Sequence, residues 1–424
     1  MSSNDPAKAD EKPENRWHLS LIPLYMAIGS SGLLVTLVAL SLGASVADIG
    51  AMSSAGAVAT FVFSLVWGRL SDLSGIRKRY LLFFFLVLSP VFLALSITNL
   101  IPLLIFLHVA LACIASGIAP IAIMYTVEWC RDKNWHGGVA RYNSIASVGN
   151  ILGLMMYTAV AGFYPTHWLF SISAALCFAA ALLLWKMGKE PDITLERHHF
   201  HMRSFHDVEK VLSHRPVLHH LDLGKLRPPR NLGKLKPLQL LFLAAFVHWT
   251  GISFFNVGQT PLMRALGLSD SLILAVNGAA GTMQAISFLW IAPRIKSNHK
   301  RLLSGIVGVR GGLILCWAAL PILFVYPVSF VFVFPLVISV VWSIFYTIIW
   351  LPITDFAISQ APADRKGSVQ GELYSTTAVA SAIGSALGGV VLTLYGYTVG
   401  FAIASIIAML TIPILSRIDM NEPI

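Results

Sequence analysis

The stretch Gly68-Arg69-Leu70-Ser71-Asp72-Leu73-Ser74-Gly75-Ile76-Arg77-Lys78-Arg79 separates two long apolar runs, and the rest of the chain is read outward from it. Before it, residues 47–67 carry one charged side chain, Asp48, at their start; after it, residues 80–98 carry none. A helix needs about twenty apolar residues to cross roughly 30 Å of hydrocarbon, so each run suits one crossing. The quoted stretch is far too short for a folded domain. It reads as a connection at which the chain leaves a membrane, turns and re-enters. Gly68 and Gly75 lack the Cβ that obstructs a tight turn or a close backbone approach. Arg77, Lys78 and Arg79 indicate the side, because loops facing the cytoplasm keep an excess of Lys and Arg.

The same alternation continues in both directions. Apolar runs at 21–43, 47–67, 80–98, 101–127, 139–163 and 167–187 form one set of six. After the polar segment 188–236, runs at 237–263, 269–293, 302–325, 328–353, 371–394 and 397–416 form a second set. Of the 30 Lys and Arg, 28 lie on the alternate loops that include the quoted stretch and both termini, whereas the opposite loops hold only Arg264. A missed or invented span would scramble that parity, so the count supports twelve spans with both termini cytoplasmic. The remaining basic residue, Arg310, falls inside the ninth run near its cytoplasmic start, where a long side chain is expected to snorkel to the interface and not to mark an anion site. The expected fold class is an all-α membrane protein with twelve transmembrane helices in two six-helix bundles. Its divisions are an N-terminal tail 1–16, a bundle 17–187, a linker 188–236, a bundle 237–418 and a tail 419–424.

Composition excludes several other classes. The chain is 56% hydrophobic and only 12% charged, with a mean hydropathy of +0.73, whereas a soluble domain is about a quarter charged. The formal charge of +10 does not point to nucleic acid, because the basic residues punctuate apolar runs and build no basic face. Cys113, Cys130, Cys177 and Cys316 have no CxxC spacing and three lie inside apolar runs, so neither a disulfide framework nor a metal site is expected. No cofactor is expected either. The phosphate-binding pattern G-x-x-x-x-G-K-[ST] does not occur, which disfavours a pump driven directly by a nucleotide. The polar start, followed by many apolar runs, favours a retained first helix over a cleaved signal peptide.

The loop quoted first resembles the G-x-L-a-D-r-x-G-r-k signature of the major facilitator superfamily, through Gly68, Leu70, Asp72 and Gly75. Leu73 stands where that family usually has a basic residue and Ile76 at the first basic position after Gly75, with Arg77 and Lys78 following. The resemblance implies alternating access between two bundles. It further implies that Asp72 latches the cytoplasmic side against the positive N-terminal end of the eleventh helix, with Gly68, Gly75, Arg77 and Arg141 in the same gating region. The corresponding loop of the second half, Ala292 to Arg301, lacks the pattern, so the latch is expected to be asymmetric. An internal repeat is also legible. Gly149-Asn-Ile-Leu-Gly153 in the fifth span corresponds to Gly384-Ser-Ala-Leu-Gly388 in the eleventh. The first pair resembles the fifth-span glycine motif of proton-driven antiporters, with Asn150 in place of the usual proline; small residues so spaced also suit any close helix contact.

Charged side chains inside spans are costly and tend to face a cavity or a partner. Asp48 lies at the outer start of the second span, and Glu128, Arg141, Asp355 and Glu372 at cytoplasmic ends. Mid-span polar residues are therefore the candidates for a central solute site. His248, Asn256 and Gln259 share a face of the seventh span, and Asn277 and Gln284 a face of the eighth. The fifth span offers Asn143, Ser147, Asn150 and Tyr157; the tenth offers Trp342 and Tyr346, whose rings can stack on a solute. Each equally suits an interhelical hydrogen bond, worth about 0.6 kcal/mol. For proton coupling the candidates are His108, His248, Glu128 and Asp355, the two acids also suiting gating pairs with Arg141 or Arg77. His198, His199, His201, His206, His214, His219 and His220 crowd the central linker, which fits metal or anionic-lipid binding and also a solvated linker with a short surface helix.

The function expected is a secondary transporter for a small organic solute, coupled to protons and exporting. Alternatives are proton-coupled uptake or uniport of a sugar or organic anion and, from a different class, a transport-inactive receptor with the same fold. An enzyme is not expected, since the chain has no soluble catalytic domain. The partners are a small-molecule solute, a proton and the lipid bilayer, with no nucleic acid; the chain is expected to act as a monomer in the cell (plasma or inner) membrane.

Overall fold

In the computed structural model the described residues are 13–130, 135–190, 236–290, 300–323, 328–360 and 366–418. The histidine-rich part of the linker lies outside them, as do both chain ends. The described residues form helices and no strands. Apolar runs this long leave no water to satisfy backbone N–H and C=O groups, and a helix pairs those groups within one segment.

A 3₁₀ turn, Pro13–Ser20, leads into α1 (Leu21–Ile28) and α2 (Ser31–Ser41), which together make the first long apolar element. It is followed by α3 (Val46–Ser74), α4 (Arg77–Ile97), α5 (Ile101–Ala115) with α6 (Ile118–Cys130), α7 (Trp135–Val160) and α8 (Trp168–Met187). Beyond the linker come α9 (Pro237–Ala265), α10 (Asp270–Trp290), α11 (Lys300–Ala319), α12 (Val328–Ser359), α13 (Lys366–Met409) and the short α14 (Thr411–Leu415). Among the described residues 10 helical stretches are long and apolar enough to cross a membrane. The polar α7, with Arg141, Asn143, Ser144, Ser147 and Asn150, is not one of the 10. The last of them, Val369–Leu415, has 47 residues, which would reach about 70 Å if straight, over twice a bilayer core. It is not straight: Gly396 adopts φ 76°, ψ 172° and divides it.

Local chemistry sets the turns. Ser45 accepts the Asp48 N–H at 3.2 Å while Asp48 Oδ2 accepts the Ser45 N–H at 2.9 Å, a reciprocal cap that starts α3 and accounts for Asp48. Gly75 ends the same helix at φ 70°, a left-handed conformation in which a Cβ is strained.

Packing repeats between the two halves of the chain. In the first, α7 lies on α1, where a Cβ on Gly149 would come within 2.7 Å of Tyr25 Cβ and one on Gly153 within 2.7 Å of Met26 Cα. In the second, α13 lies on α9, where a Cβ on Gly388 would meet the Phe254 carbonyl oxygen at 2.6 Å and one on Gly384 would strike the Thr250 carbonyl. The repeated glycine pairs thus do the same work, letting two backbones touch. Between the halves, α3 packs on α13 and α7 on α10.

Candidate functional site

A central cavity of about 550 Å³ lies between the halves, walled by α2, α3 and α5 on one side and by α9, α10 and α13 on the other. Its polar lining carries no formal charge. Ser31, Thr36, Ser53 and Thr60 face Ser253, Asn256, Gln259, Thr260, Asn277 and Ser385, and the titratable group in the lining is His108. Met52, Leu111 and Val257 supply the apolar remainder. Such a volume and mixture suit a small solute held by a few oriented hydrogen bonds.

One end of this cavity is fastened. Arg264, at the end of α9, donates from Nη1 to the Leu37 carbonyl of α2 at 2.8 Å and lies 3.6 Å from Asp270 at the start of α10. Thr166 donates to the same Asp270. Ser271 donates to the Thr158 carbonyl at 2.8 Å, tying α10 to α7. A Cβ on Gly50 would lie 2.6 Å from Gly389 Cα, so α3 and α13 touch backbone to backbone near this end. All these contacts stand on the side away from the loops rich in Lys and Arg. Towards those loops, Asn143, Ser147 and Val148 of α7 and Tyr374 of α13 are exposed.

The quoted loop is pinned at the other end of the first half. The Arg77 side chain is 4% exposed, and its Nε donates to Glu128 Oε1 at 2.7 Å while Nη1 donates to Ser71 Oγ at 2.9 Å. Of the two partners expected for Glu128, the structure pairs it with Arg77; Arg141 is exposed on α7. Ile76 offers no side-chain cap to α4, and Glu190 supplies one from beyond α8, accepting the Lys78 N–H at 3.2 Å. Burial pushes the Glu190 carboxyl above its ordinary value, opposed by the backbone N–H groups of Lys78 and Arg77. Gly68 has open space around it. The side chain of Asp72 lies outside the described residues.

The candidate solute residues divide into groups. Asn256, Gln259, Asn277 and His108 line the cavity. Gln259 also donates to Ser339 Oγ at 3.3 Å, and Asn277 to its own helix at the Ile273 carbonyl, 2.9 Å away. His248, Trp342 and Tyr346 form a separate cluster around Arg310. Gln284 is half-buried on α10, two turns past Asn277, and does not border the cavity. Asn143 is exposed, Asn150 turns its side-chain oxygen onto Gly29, and Asp355 is exposed near the end of α12. Tyr157 is bonded to Ser173 Oγ at 2.7 Å, inside the first half.

Arg310 differs most from expectation. It does not snorkel. It stands midway along α11, is 1% exposed, and its guanidinium carbon sits 4.0 Å above the Trp342 ring and 5.9 Å from that of Tyr346. Nη1 donates to His248 Nε2 at 3.1 Å. The interface is some ten residues away, about 15 Å along the helix, beyond the reach of the side chain, and the aromatic rings nearby offer attraction instead. Small hydroxyls that the sequence reading does not single out also line the cavity, where Ser53, Ala57 and Thr60 at i, i+4 and i+7 mark a small, polar face of α3.

Comparison with known proteins agrees with this architecture. Residues 18–371 match the family model described as Major Facilitator Superfamily. No curated protein matches the sequence significantly. Among solved structures, the nucleoside transporter NupG is 15% identical, with 95% of this chain and 99% of that one covered and a TM-score of 0.68. The human organic anion transporter MFSD10 (TETRAN) is 18% identical over 96% and 100% of the two chains, with a TM-score of 0.60. A bacterial homolog of the human lysosomal transporter Spinster, inward-facing and occupied, is 14% identical over 96% of each chain, with a TM-score of 0.67. At these identities the likeness is one of fold. The match to the family model covers most of the chain, and with the helix packing it establishes that the chain belongs to the major facilitator superfamily, as a multi-pass membrane transporter and not an enzyme.

Proposed function

We propose that this protein is a secondary active transporter that carries a small organic solute by alternating access through the cavity between its halves. The observation that carries the reading is the polar, uncharged cavity walled by both halves and fastened at one end. In this reading the polypeptide crosses the membrane twelve times. The polar α7 is the fifth crossing, packed between α1 and α10, and α13 with α14 supplies the eleventh and twelfth on either side of Gly396. Residues 17–187 and 237–418 are the two moving units, 188–236 the linker, and both termini are cytoplasmic in the cell membrane. The chain works as a monomer. The fastened end is the outer one, so this state faces inward, and Asp72 with Gly68, Gly75, Arg77 and Arg141 belongs to the inner gate that closes in the opposite state.

The solutes named for the similar folds, nucleosides and organic anions, are of a size that the cavity accepts. Asn256, Gln259 and Asn277 orient the solute. His108 couples transport to protons, being the titratable group in the lining. The Gly149 and Gly153 pair serves helix packing, so the direction rests on coupling: an exporter run by the inward proton gradient is an antiporter.

The test uses purified protein in liposomes with a luminal pH dye and a panel of nucleosides, sugars, organic acids and amino acids. Entry of external solute with luminal alkalinisation establishes antiport, acidification symport, and flux without either a uniport. A second arm replaces Thr166 and Asp270 by cysteine in a background lacking the four native cysteines. Bridging them must stop flux reversibly if the outer seal has to open. Undiminished flux through the bridged protein would refute alternating access at this seal, and a folded protein that moves no member of the panel would favour the receptor reading.

A further inference from the structure

Among the described residues, Arg310 is a buried cation with no anion paired to it. Burying a guanidinium in a membrane protein is costly unless something compensates its charge. Here compensation is incomplete. His248 takes one N–H, and the Trp342 and Tyr346 faces attract the charge from the side. Nε and Nη2 have no hydrogen-bond partner among the described residues, and no described carboxylate pairs with the group. The arrangement of what is free is informative. Nε–H and the adjacent Nη2–H point the same way, and together they form the edge of a guanidinium that receives a carboxylate with two parallel hydrogen bonds. His248 occupies Nη1 and leaves that edge open.

The surroundings add a shape. Tyr346 stacks nearly parallel on Trp350, ring centroids 6.5 Å apart and planes 12° from parallel, and Trp350 lies 5.4 Å from Tyr374, which is exposed. Flat side chains thus run from the guanidinium to the exposed face of α13. On its other side Trp342 meets Phe255 at 5.3 Å, next to Asn256 of the cavity wall. The Arg310 cluster is thus an interior group one residue along α9 from the cavity wall, and its side chains are not part of the cavity lining.

We propose that Arg310, held by His248 and Trp342, is a binding site for a compact organic monoanion with a planar apolar body, the carboxylate bonded side-on to Nε and Nη2 and the ring stacked among Trp342 and Tyr346. The inference rests on the transporter reading and deepens it, because it names the class of the solute. A neutral amide of the same shape cannot supply the charge, and the site discriminates against it.

Equilibrium binding by the full-length purified protein tests this without requiring transport. The probes are radiolabelled benzoate, indole-3-acetate and naphthalene-2-sulfonate, each paired with its neutral amide. The expected result is that at least one anion binds and its amide binds ten-fold or more weakly. Arg310→Gln should reduce anion affinity by ten-fold or more, and Trp342→Leu should lower it for ring-bearing anions more than for acetate. Should Arg310→Gln fail to fold, the wild-type contrast between anion and amide still decides. Equal binding of anions and amides, binding of none of the three anions, or a folded Arg310→Gln with wild-type affinity overturns the proposal. The two readings fail separately. Flux in liposomes with no anion binding removes this site alone, and anion binding by a protein that moves no solute leaves the site standing and removes transport.

Discussion

Replacing Gly50 by alanine should open the seal that holds the cavity shut at one end. The Cβ so introduced would lie 2.6 Å from Gly389 Cα and 2.7 Å from the Ser385 carbonyl oxygen. Carbon pairs prefer about 3.5–4.0 Å, so α3 and α13 must separate by roughly 1 Å at a contact where both sides are backbone and nothing can rotate away. Inserting one methyl group into a packed contact costs about 1–3 kcal/mol. That cost falls on the conformation in which the two helices touch here, and at 1.4 kcal/mol per factor of ten it shifts the equilibrium about 5- to 150-fold towards states open at this end. The assay is the labelling rate of a cysteine at Thr36, in the cavity wall, by a membrane-impermeant maleimide in an otherwise cysteine-free protein in sealed, oriented vesicles. Gly50→Ala should raise the rate from the fastened side by the same factor. Gly389→Ala should do likewise, since its Cβ would come within 2.8 Å of Gly50 Cα. An unchanged rate in either variant, with normal folding and insertion, would refute the assignment of this crossing as the seal.

The ion pair beneath the signature loop should behave as a buried one: Arg77→Gln or Glu128→Gln alone should each destabilise by about 3–5 kcal/mol, while the double replacement costs less than the sum, read from thermal unfolding in detergent. Equal and additive losses would show that the two charges do not depend on one another. His108→Gln should abolish solute-driven pH change in liposomes and keep solute exchange at equal concentrations on both sides; persistence of the pH change would remove His108 from coupling. Asn256→Leu should raise the half-saturating solute concentration about 2- to 12-fold, the value of one hydrogen bond of about 0.5–1.5 kcal/mol, with little change in helix packing. A wild-type value would place the solute elsewhere in the cavity.

What the sequence made legible follows from what membranes enforce. Hydrocarbon thickness dictates run length, and backbone pairing dictates helix, so the apolar runs and the described helices coincide closely, for example 167–187 with Trp168–Met187 and 237–263 with Pro237–Ala265. Glycine pairs at 149 and 153 and at 384 and 388 were legible as a repeat because close helix contacts leave few alternatives to glycine. The cavity was partly legible. Asn256, Gln259, Asn277 and His108 stand out as large polar groups in apolar runs, and all four border it. Ser53, Thr60 and Ser253 do not stand out, since a hydroxyl in a membrane helix commonly bonds to the carbonyl one turn back, as Thr250 and Thr282 do here.

Arg310 shows where one-dimensional reading stops. Its distance from the helix start was legible, and the snorkelling expectation assumed that a cation ten residues in would still find the interface more favourable than the interior. What reverses the balance is supplied by residues far away in the chain: His248 on α9, and Trp342 and Tyr346 on α12. His248 stands out in the sequence as a polar group, and Trp342 with Tyr346 as stacking rings, on two different helices. Their convergence on one guanidinium gives all three a common role. They hold a charge inside the bundle with one hydrogen-bonding edge unspent. Local dipoles and π faces can make such a charge tolerable, and a carboxylate would satisfy that edge with two charge-assisted hydrogen bonds. On the proposed reading, this charge would discriminate among solutes that the uncharged cavity admits without regard to their sign. An inner cation selects anions in any state that brings solute to it, and neutral molecules of the same shape gain only the stacking.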